Sequence, residues 1–322
     1  MSKQTEERLD IELSGRKEGI LSMQIQHAID KSEIVQIGQS RYAAKQDAYA
    51  DGVTSSHDVN ARIGITSWAS YDKIKSQMHV IGGYCFAVEG CKDLNQIKPE
   101  MIANFLTELC DRDYALSTVQ GYASGAEKMA VILDAYCPAA QPRTETWHAA
   151  IEQVRPIIAT CEDKAQGGRA YDDPRAIIDA MPDERMQLVA CMQLDHGLRL
   201  GDATKINANN IGADNVYVAE NSKNGQDIRV QLTPEEVDRI RGLSDERGLI
   251  IVKQSDYRTA LHKACDETGQ TWTGTHGMRY NYAQNRMETL QGQGYSFERA
   301  LHIVSEEMGH HRPEITLTYL RR

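Results

Sequence analysis

The chain has 322 residues, 41% of them apolar and 25% charged, enough for two domains that each bury a core. Its formal net charge of −10 counts against a nucleic-acid partner on the sum alone, yet binding depends on where charges sit rather than on their total. No apolar run is long enough to span a bilayer, the charged start lacks a signal core, and seven scattered cysteines without a C-x-x-C pair favour reduced thiols in the cytoplasm.

In chain order, residues 1–33 are polar and charged and predict a helical extension with a loose end. "IVQIGQSRYAAKQDAYADG" predicts a helix carrying Arg41 and Lys45, and "VTSSHDVNARIG" predicts a loop. Four stretches then read as helices. The first begins near Ser67 or Ser70 as N-cap, the second opens on Pro99, the third takes Ser117 as cap and stops before Pro138, and the fourth is "TETWHAAIEQVRPIIATC". Residues 34–160 are thus expected to form a small helical domain, and the polar Gly-rich stretch over 161–172 a linker.

Residues 173–322 are expected to form a second domain. It opens on an apolar helix that runs through a turn into another, "PDERMQLVACMQLDHGLRLGDATKI". "NVYVAENSKNGQDIRVQL" alternates apolar and polar residues around Asn-Gly, a hairpin signal. Thr233 and Pro234 open another helix, and the remainder reads as helical. The predicted fold class is mainly α with a small antiparallel β-hairpin, an α+β arrangement.

Several polar groups fall in segments whose pattern is otherwise that of a buried core. Arg199 follows an apolar helix behind a glycine, and Asp202 stands three residues on, in reach of a cation on the same helical face. Lys223 sits at the hairpin tip, and His276 and Arg279 are three apart on one helix. The chain closes on "MGHHRPEITLTYLRR", with His310 nine positions before Tyr319. Each alone has a bland explanation: an ion pair, a solvated lysine, a polar helix face, a terminal packing residue. Adjacent His310 and His311 point apart on a helix and have no carboxylate or cysteine at ligand spacing, so no metal is expected from them.

Their order is not bland. The series "GLRLGDA", "SKNG", "HGMR" and "MGHHRPEITLTY" resembles the motif set of the tyrosine recombinase (phage integrase) family across the whole second half. The first half resembles, more loosely, the helical (SAM-like) core-binding domain that precedes the catalytic domain there. The resemblance implies a two-domain C-shaped clamp on double-stranded DNA that cleaves and rejoins strands. The intermediates it implies are a 3′-phosphotyrosine, with release of a 5′-hydroxyl, and a Holliday junction. Arg199, Arg279 and His310 would bind the phosphate, because arginine forks suit phosphate oxygens and stay charged. Tyr319 would be the nucleophile and Lys223 the general acid. His276 would orient the phosphate or act as base, and Asp202 would hold Arg199 or an imidazole.

Arg41 and Lys45 are candidate phosphate contacts. No metal, ATP or other cofactor is implied, since the covalent link conserves the phosphoester. The implied assembly is a homo-tetramer on two synapsed sites with inverted half-sites, with an accessory protein as an optional partner and no membrane. Integration and excision of a mobile element, transposon cointegrate resolution and chromosome dimer resolution share this chemistry. Two rival readings are a type IB topoisomerase-like relaxation enzyme and a non-catalytic DNA-binding relative. Only three residues follow Tyr319, too few for the helix that relatives dock into a neighbouring subunit, so the segment before Ser32 or a partner protein is expected to supply that contact.

Overall fold

A computed structural model describes residues 15–163, 167–222 and 225–321. Two compact units divide the chain, Met1–Gln166 and Gly167–Arg322.

The first unit is helical. Helix α1 (Gly15–Lys31) buries Leu21, Ile25, Ala28 and Ile29, one stripe at helical spacing. Helix α2 (Arg41–Ala50) is shorter than the pattern predicts. Val35 in the preceding segment bridges to Ile65 instead, and Ser40 caps the helix by accepting from Ala43 N. The expected loop over 53–64 contains helix α3 (Ser56–Arg62), a correction with a local cause. Ser55 accepts from Asp58 N at 3.0 Å, Asp58 and Arg62 suit the two ends of the helix dipole, and Val59 is buried.

Helix α4 (Trp68–Ala87) takes Ser67 as its cap, and α5 (Pro99–Asp111) opens on Pro99. Helix α6 (Leu116–Tyr136) starts one residue before the predicted cap Ser117. Ala115 is its N-cap and makes no side-chain bond. Helix α7 (Arg143–Ile158) runs through Pro156 near its end. Trp147, Phe105 and Met129 lie in the main core among these helices, whereas Ala48, Val59 and Ile63 form a small separate cluster that holds α2 and α3.

The second unit begins with α8 (Pro174–Asp179), then α9 (Glu184–His196), which ends at Gly197 in the left-handed conformation. Arg199 caps the single-turn α10 (Leu200–Ala203). Strand β1 (Lys205–Asn207) follows, then β2 (Val216–Ala219) and β3 (Ile228–Gln231), which pair antiparallel with Val216 opposite Gln231 and Ala219 opposite Ile228, the predicted hairpin. Helix α11 (Pro234–Leu243) opens with a reciprocal capping box between Thr233 and Glu236. Strand β4 (Leu249–Ile251) pairs antiparallel with β1, a second two-stranded sheet absent from the sequence expectation. Three longer helices follow, α12 (Gln254–Glu267), α13 (Gly277–Gly292) and α14 (Phe297–Glu307), then the short α15 (Pro313–Leu317) and a 3-10 turn over Thr318–Leu320.

The architecture is mainly α with two small antiparallel sheets among the described residues. Helices α13 and α14 share a core of Tyr282, Met287, Leu290, Leu301 and Met308, against which Tyr319 and Leu320 pack. No helix among the described residues is long and apolar enough to cross a membrane.

Candidate active site

Arg279 is the centre of the arrangement. It lies on the first turns of α13 and is fully buried, with a side chain long enough to reach two helix ends. Its Nη1 donates to Gly197 O at the end of α9, and its Nη2 donates to Met308 O (3.3 Å) at the end of α14. Carbonyls at helix C-termini carry partial negative charge, so a guanidinium is well placed there. Burial nonetheless pushes its pKa down to about 10, with nearby Arg199 adding to the fall and Tyr319 and Asp202 opposing it. Its Nε is buried and has no hydrogen-bond partner among the described residues.

Arg199 is anchored in the same way to another helix end. Its Nη2 donates to Gly309 O at 2.7 Å, just past α14, and its Nη1 to Ser222 Oγ at 3.3 Å. Burial lowers this pKa too, against the pull of Asp202 and Tyr319. Asp202 does not meet Arg199 in the direct manner the spacing suggests. Its Oδ2 accepts from Ser222 Oγ at 2.7 Å, and that same hydroxyl oxygen accepts from Arg199, so a serine links carboxylate to guanidinium.

His310 follows α14, and its Nε2 lies 3.2 Å from Arg279 Nη2. A guanidinium only donates, so Nε2 accepts here and the ring proton is on Nδ1, which donates to Thr316 Oγ1 at 2.9 Å. His311 turns away. It takes a left-handed backbone (φ 51°) and pairs with Glu306 at 2.8 Å on the exposed side.

Tyr319 is half-buried, and its ring lies 5.1 Å from that of His310 and 4.6 Å from that of Tyr280. The Arg279 guanidinium carbon is 5.7 Å from the centre of the Tyr319 ring, within cation–π range. Gln284 Nε2 on α13 donates to Tyr319 O at 3.2 Å. Glu307 binds Arg286 through both carboxylate oxygens and accepts from Tyr282 OH at 2.8 Å, which locks α14 onto α13 beneath the site.

Arg199, Asp202, Arg279, His310 and Tyr319 therefore form one connected group. His276 is the N-cap residue of α13 and is exposed, while Arg279 three residues on is buried. Lys223 lies outside the described residues. In the first unit, Arg41 is exposed and donates to Asn60 Oδ1 at 3.2 Å, and Lys45 is partly buried on the same helix. Ser222, Thr316, Gly197 and Gly309 carry the site's internal bonds; all four stand within the quoted motifs, but their roles as bonding partners were not read from them.

No family model and no curated protein matches the sequence. Solved structures do match. The Tn1549 transposon integrase in complex with transposon right end DNA aligns over 88% of this chain and 95% of its own, at 10% identity and a TM-score of 0.52. The same integrase in complex with a circular intermediate DNA aligns over 88% and 96%, at 9% identity and a TM-score of 0.50. At such identities the likeness is one of fold. The motif resemblance and the fold thus lead to the same group of proteins, the integrases, whose fold this chain shares.

Proposed function

We propose that this protein is a site-specific DNA recombinase that cleaves and rejoins strands through Tyr319. The observation that carries the reading is Arg279: a buried guanidinium beside the Tyr319 ring, bonded to His310, with one N–H left without a partner. A buried cation with an unused donor suits an incoming oxyanion. Arg199, sharing its bonds with Ser222 and Gly309, supplies the second fork. Donors fixed in advance stabilise the charge that develops on a five-coordinate phosphorus more than they stabilise the ground state.

In this mechanism the Tyr319 oxygen attacks the scissile phosphorus, and the bond to the 5′-oxygen breaks. The products are a 3′-phosphotyrosyl link and a free 5′-hydroxyl. The phenolic proton leaves to His276 as base, and Lys223 protonates the departing oxygen. His310 donates to the phosphate through Nε2 when that nitrogen carries the ring proton, with Nδ1 then accepting from the Thr316 hydroxyl. Asp202 acts through Ser222 to hold Arg199. Religation reverses these steps and needs no ATP.

The Tn1549 integrase of this fold is solved in complex with transposon right end DNA and with a circular intermediate DNA, which favours a mobile-element role of integration and excision. That role entails a homo-tetramer on paired inverted half-sites and a Holliday junction. Arg41 and Lys45 serve as phosphate contacts from the first unit.

The test is trapping on a nicked suicide substrate. The wild-type chain is expected to become covalently attached to DNA and Tyr319→Phe is not, while both bind the same duplex. Attachment of the Tyr319→Phe protein would remove the assignment. Rapid relaxation of supercoiled plasmid lacking any target site would replace recombination with a topoisomerase activity.

A further inference from the structure

We infer that His57, Glu127 and His148 form a binding site for a divalent transition-metal cation, best suited to zinc, in the first unit. The three residues come from α3, α6 and α7, and their ligand atoms all lie within 4.8 Å of one another. Glu127 Oε1 is 2.9 Å from His148 Nδ1 and 3.4 Å from His57 Nδ1. The two imidazoles stack face to face, with centroids 3.7 Å apart and planes inclined by 21°. No other group of three or more histidine, cysteine or acidic side chains among the described residues is so arranged.

Two features set this cluster apart from a surface ion pair. All three side chains are largely shielded, at 15%, 19% and 31% exposure for His57, Glu127 and His148. And His57 Nδ1 is buried with no hydrogen-bond partner among the described residues, although a carboxylate oxygen stands 3.4 Å away. One oxygen lies close to two ring nitrogens, and only His148 makes a bond of good length to it. A cation between them uses both lone pairs at once and removes the orphan.

Two imidazoles and a carboxylate are the donor set of open zinc sites, with water in the fourth position. Zinc-to-donor bonds of about 2.0–2.2 Å in a tetrahedron put neighbouring donors roughly 3.3 Å apart. The 2.9 and 3.4 Å separations bracket that value. Stacked rings cannot both aim at one point, so one or both must turn about the Cβ–Cγ bond, a torsion with a broad and shallow profile for histidine. Imidazole and carboxylate donors prefer Zn²⁺, Co²⁺, Ni²⁺ or Cu²⁺ to Mg²⁺ or Ca²⁺. Arg41 and Lys128 line the same cleft, and their charge opposes a cation; binding is therefore weaker than in closed structural zinc sites.

The site also has a structural task. Helix α3 belongs to the small Ala48–Val59–Ile63 cluster rather than to the main core, so little apolar surface holds it. A metal would tie α3, through His57, to the long helices α6 and α7. This inference is independent of the recombinase reading, because none of its residues takes part in the proposed strand cleavage.

The experiment uses the full chain, stripped with chelator and titrated with Co²⁺. A ligand-field absorption band that Zn²⁺ displaces is expected, with a melting temperature that rises with free Zn²⁺ and does not respond to Mg²⁺. Glu127→Gln and the double variant His57→Gln/His148→Gln should lose both effects, whereas His311→Gln keeps them. Circular dichroism of the stripped variants verifies that they fold. Slower amide exchange across α3 on adding Zn²⁺ to the wild-type chain provides a readout free of any variant. Absence of the band and of the melting shift in the wild-type chain would overturn the site. So would their persistence in folded Glu127→Gln and double-variant proteins, since the cation would then sit elsewhere. A cluster that merely shares a proton gives neither signal and overturns it equally.

Discussion

Arg279 donates to the backbone carbonyl of Gly197, a residue held at φ 63° at the end of α9. A β-carbon on Gly197 would stand 2.5 Å from the Tyr282 ring, so both the backbone conformation and the space require glycine. Arg199 repeats the relationship with Gly309, at φ 64°, where a β-carbon would lie 3.2 Å from Arg199 Nη1. Both arginines of the candidate site are thus aimed by carbonyls that end helices in a left-handed turn. The turn exposes the carbonyl, and the helix dipole makes it a better acceptor for a cation.

Gly197→Ala is therefore expected to destabilise the protein by about 1–3 kcal/mol, from left-handed strain and the clash with Tyr282. Gly309→Ala should lose less stability but displace Arg199 and reduce covalent adduct formation. Denaturant titration and suicide-substrate trapping, run side by side, measure the two effects. Equal stability of Gly197→Ala and the wild-type chain would contradict the account of this turn.

The lowered pKa of both arginines means that folding leaves their charges under-compensated. An oxyanion bound between them offsets that cost. Millimolar pyrophosphate should raise the melting temperature of the wild-type chain, and the rise should vanish in Arg279→Met. The same variant is expected to be less stable than wild type without ligand, because it leaves the buried Gly197 and Met308 carbonyls without their donor. A pyrophosphate response undiminished in Arg279→Met would argue against a shared anion site.

Ser222 connects Asp202 to Arg199, so the two should act as a unit. Ser222→Ala and Asp202→Asn are each expected to lower the rate of adduct formation by about tenfold, the effect of losing about 1.4 kcal/mol of positioning. The double variant should be little worse than either single one. Fully additive losses would mean that Asp202 reaches Arg199 by another route.

A pH effect is expected at the pair that joins α9 to α11. Burial alone would raise the Glu236 pKa, but bonds from His196 (2.8 Å) and from Thr233 outweigh it and leave it below the ordinary 4.5. A carboxylate with a depressed folded pKa adds stability above its unfolded value, and that contribution disappears as the pH falls through the folded one. Glu236→Gln should therefore be less stable than wild type at pH 6 and converge with it on acidification below 4.5. Melting curves of both proteins from pH 6 to 3 measure this; a constant gap would refute it.

Much of the fold was legible because its signals are local. Ser67 and Thr233 announce helix starts through bonds made within one turn, Pro99 announces one through its fixed backbone angle, and Asn-Gly between alternating residues announces the hairpin. The failures are local signals too weak to stand alone. Helix α3 is seven residues long and buries only Val59, so its polar sequence reads as a loop. Ser117 has the chemistry of a cap, but the chain enters α6 at Leu116, whose N–H bonds to the distant Glu162 carbonyl. Strands β1 and β4 have three residues each and exist only through each other.

The candidate site divides along the same line. The order of arginine, histidine and tyrosine motifs was legible in the sequence, as was the helical framework that carries them. Packing alone decided that Arg279 is buried and His276 exposed, that Ser222 stands between Asp202 and Arg199, and that Arg279 sets the tautomer of His310. It likewise decided that His57, Glu127 and His148 meet. Caps, turns and periodicity depend on interactions within a few residues, which a sequence displays directly. Which distant side chains share a hydrogen bond depends on how whole helices dock, and that is written in no single stretch of the chain.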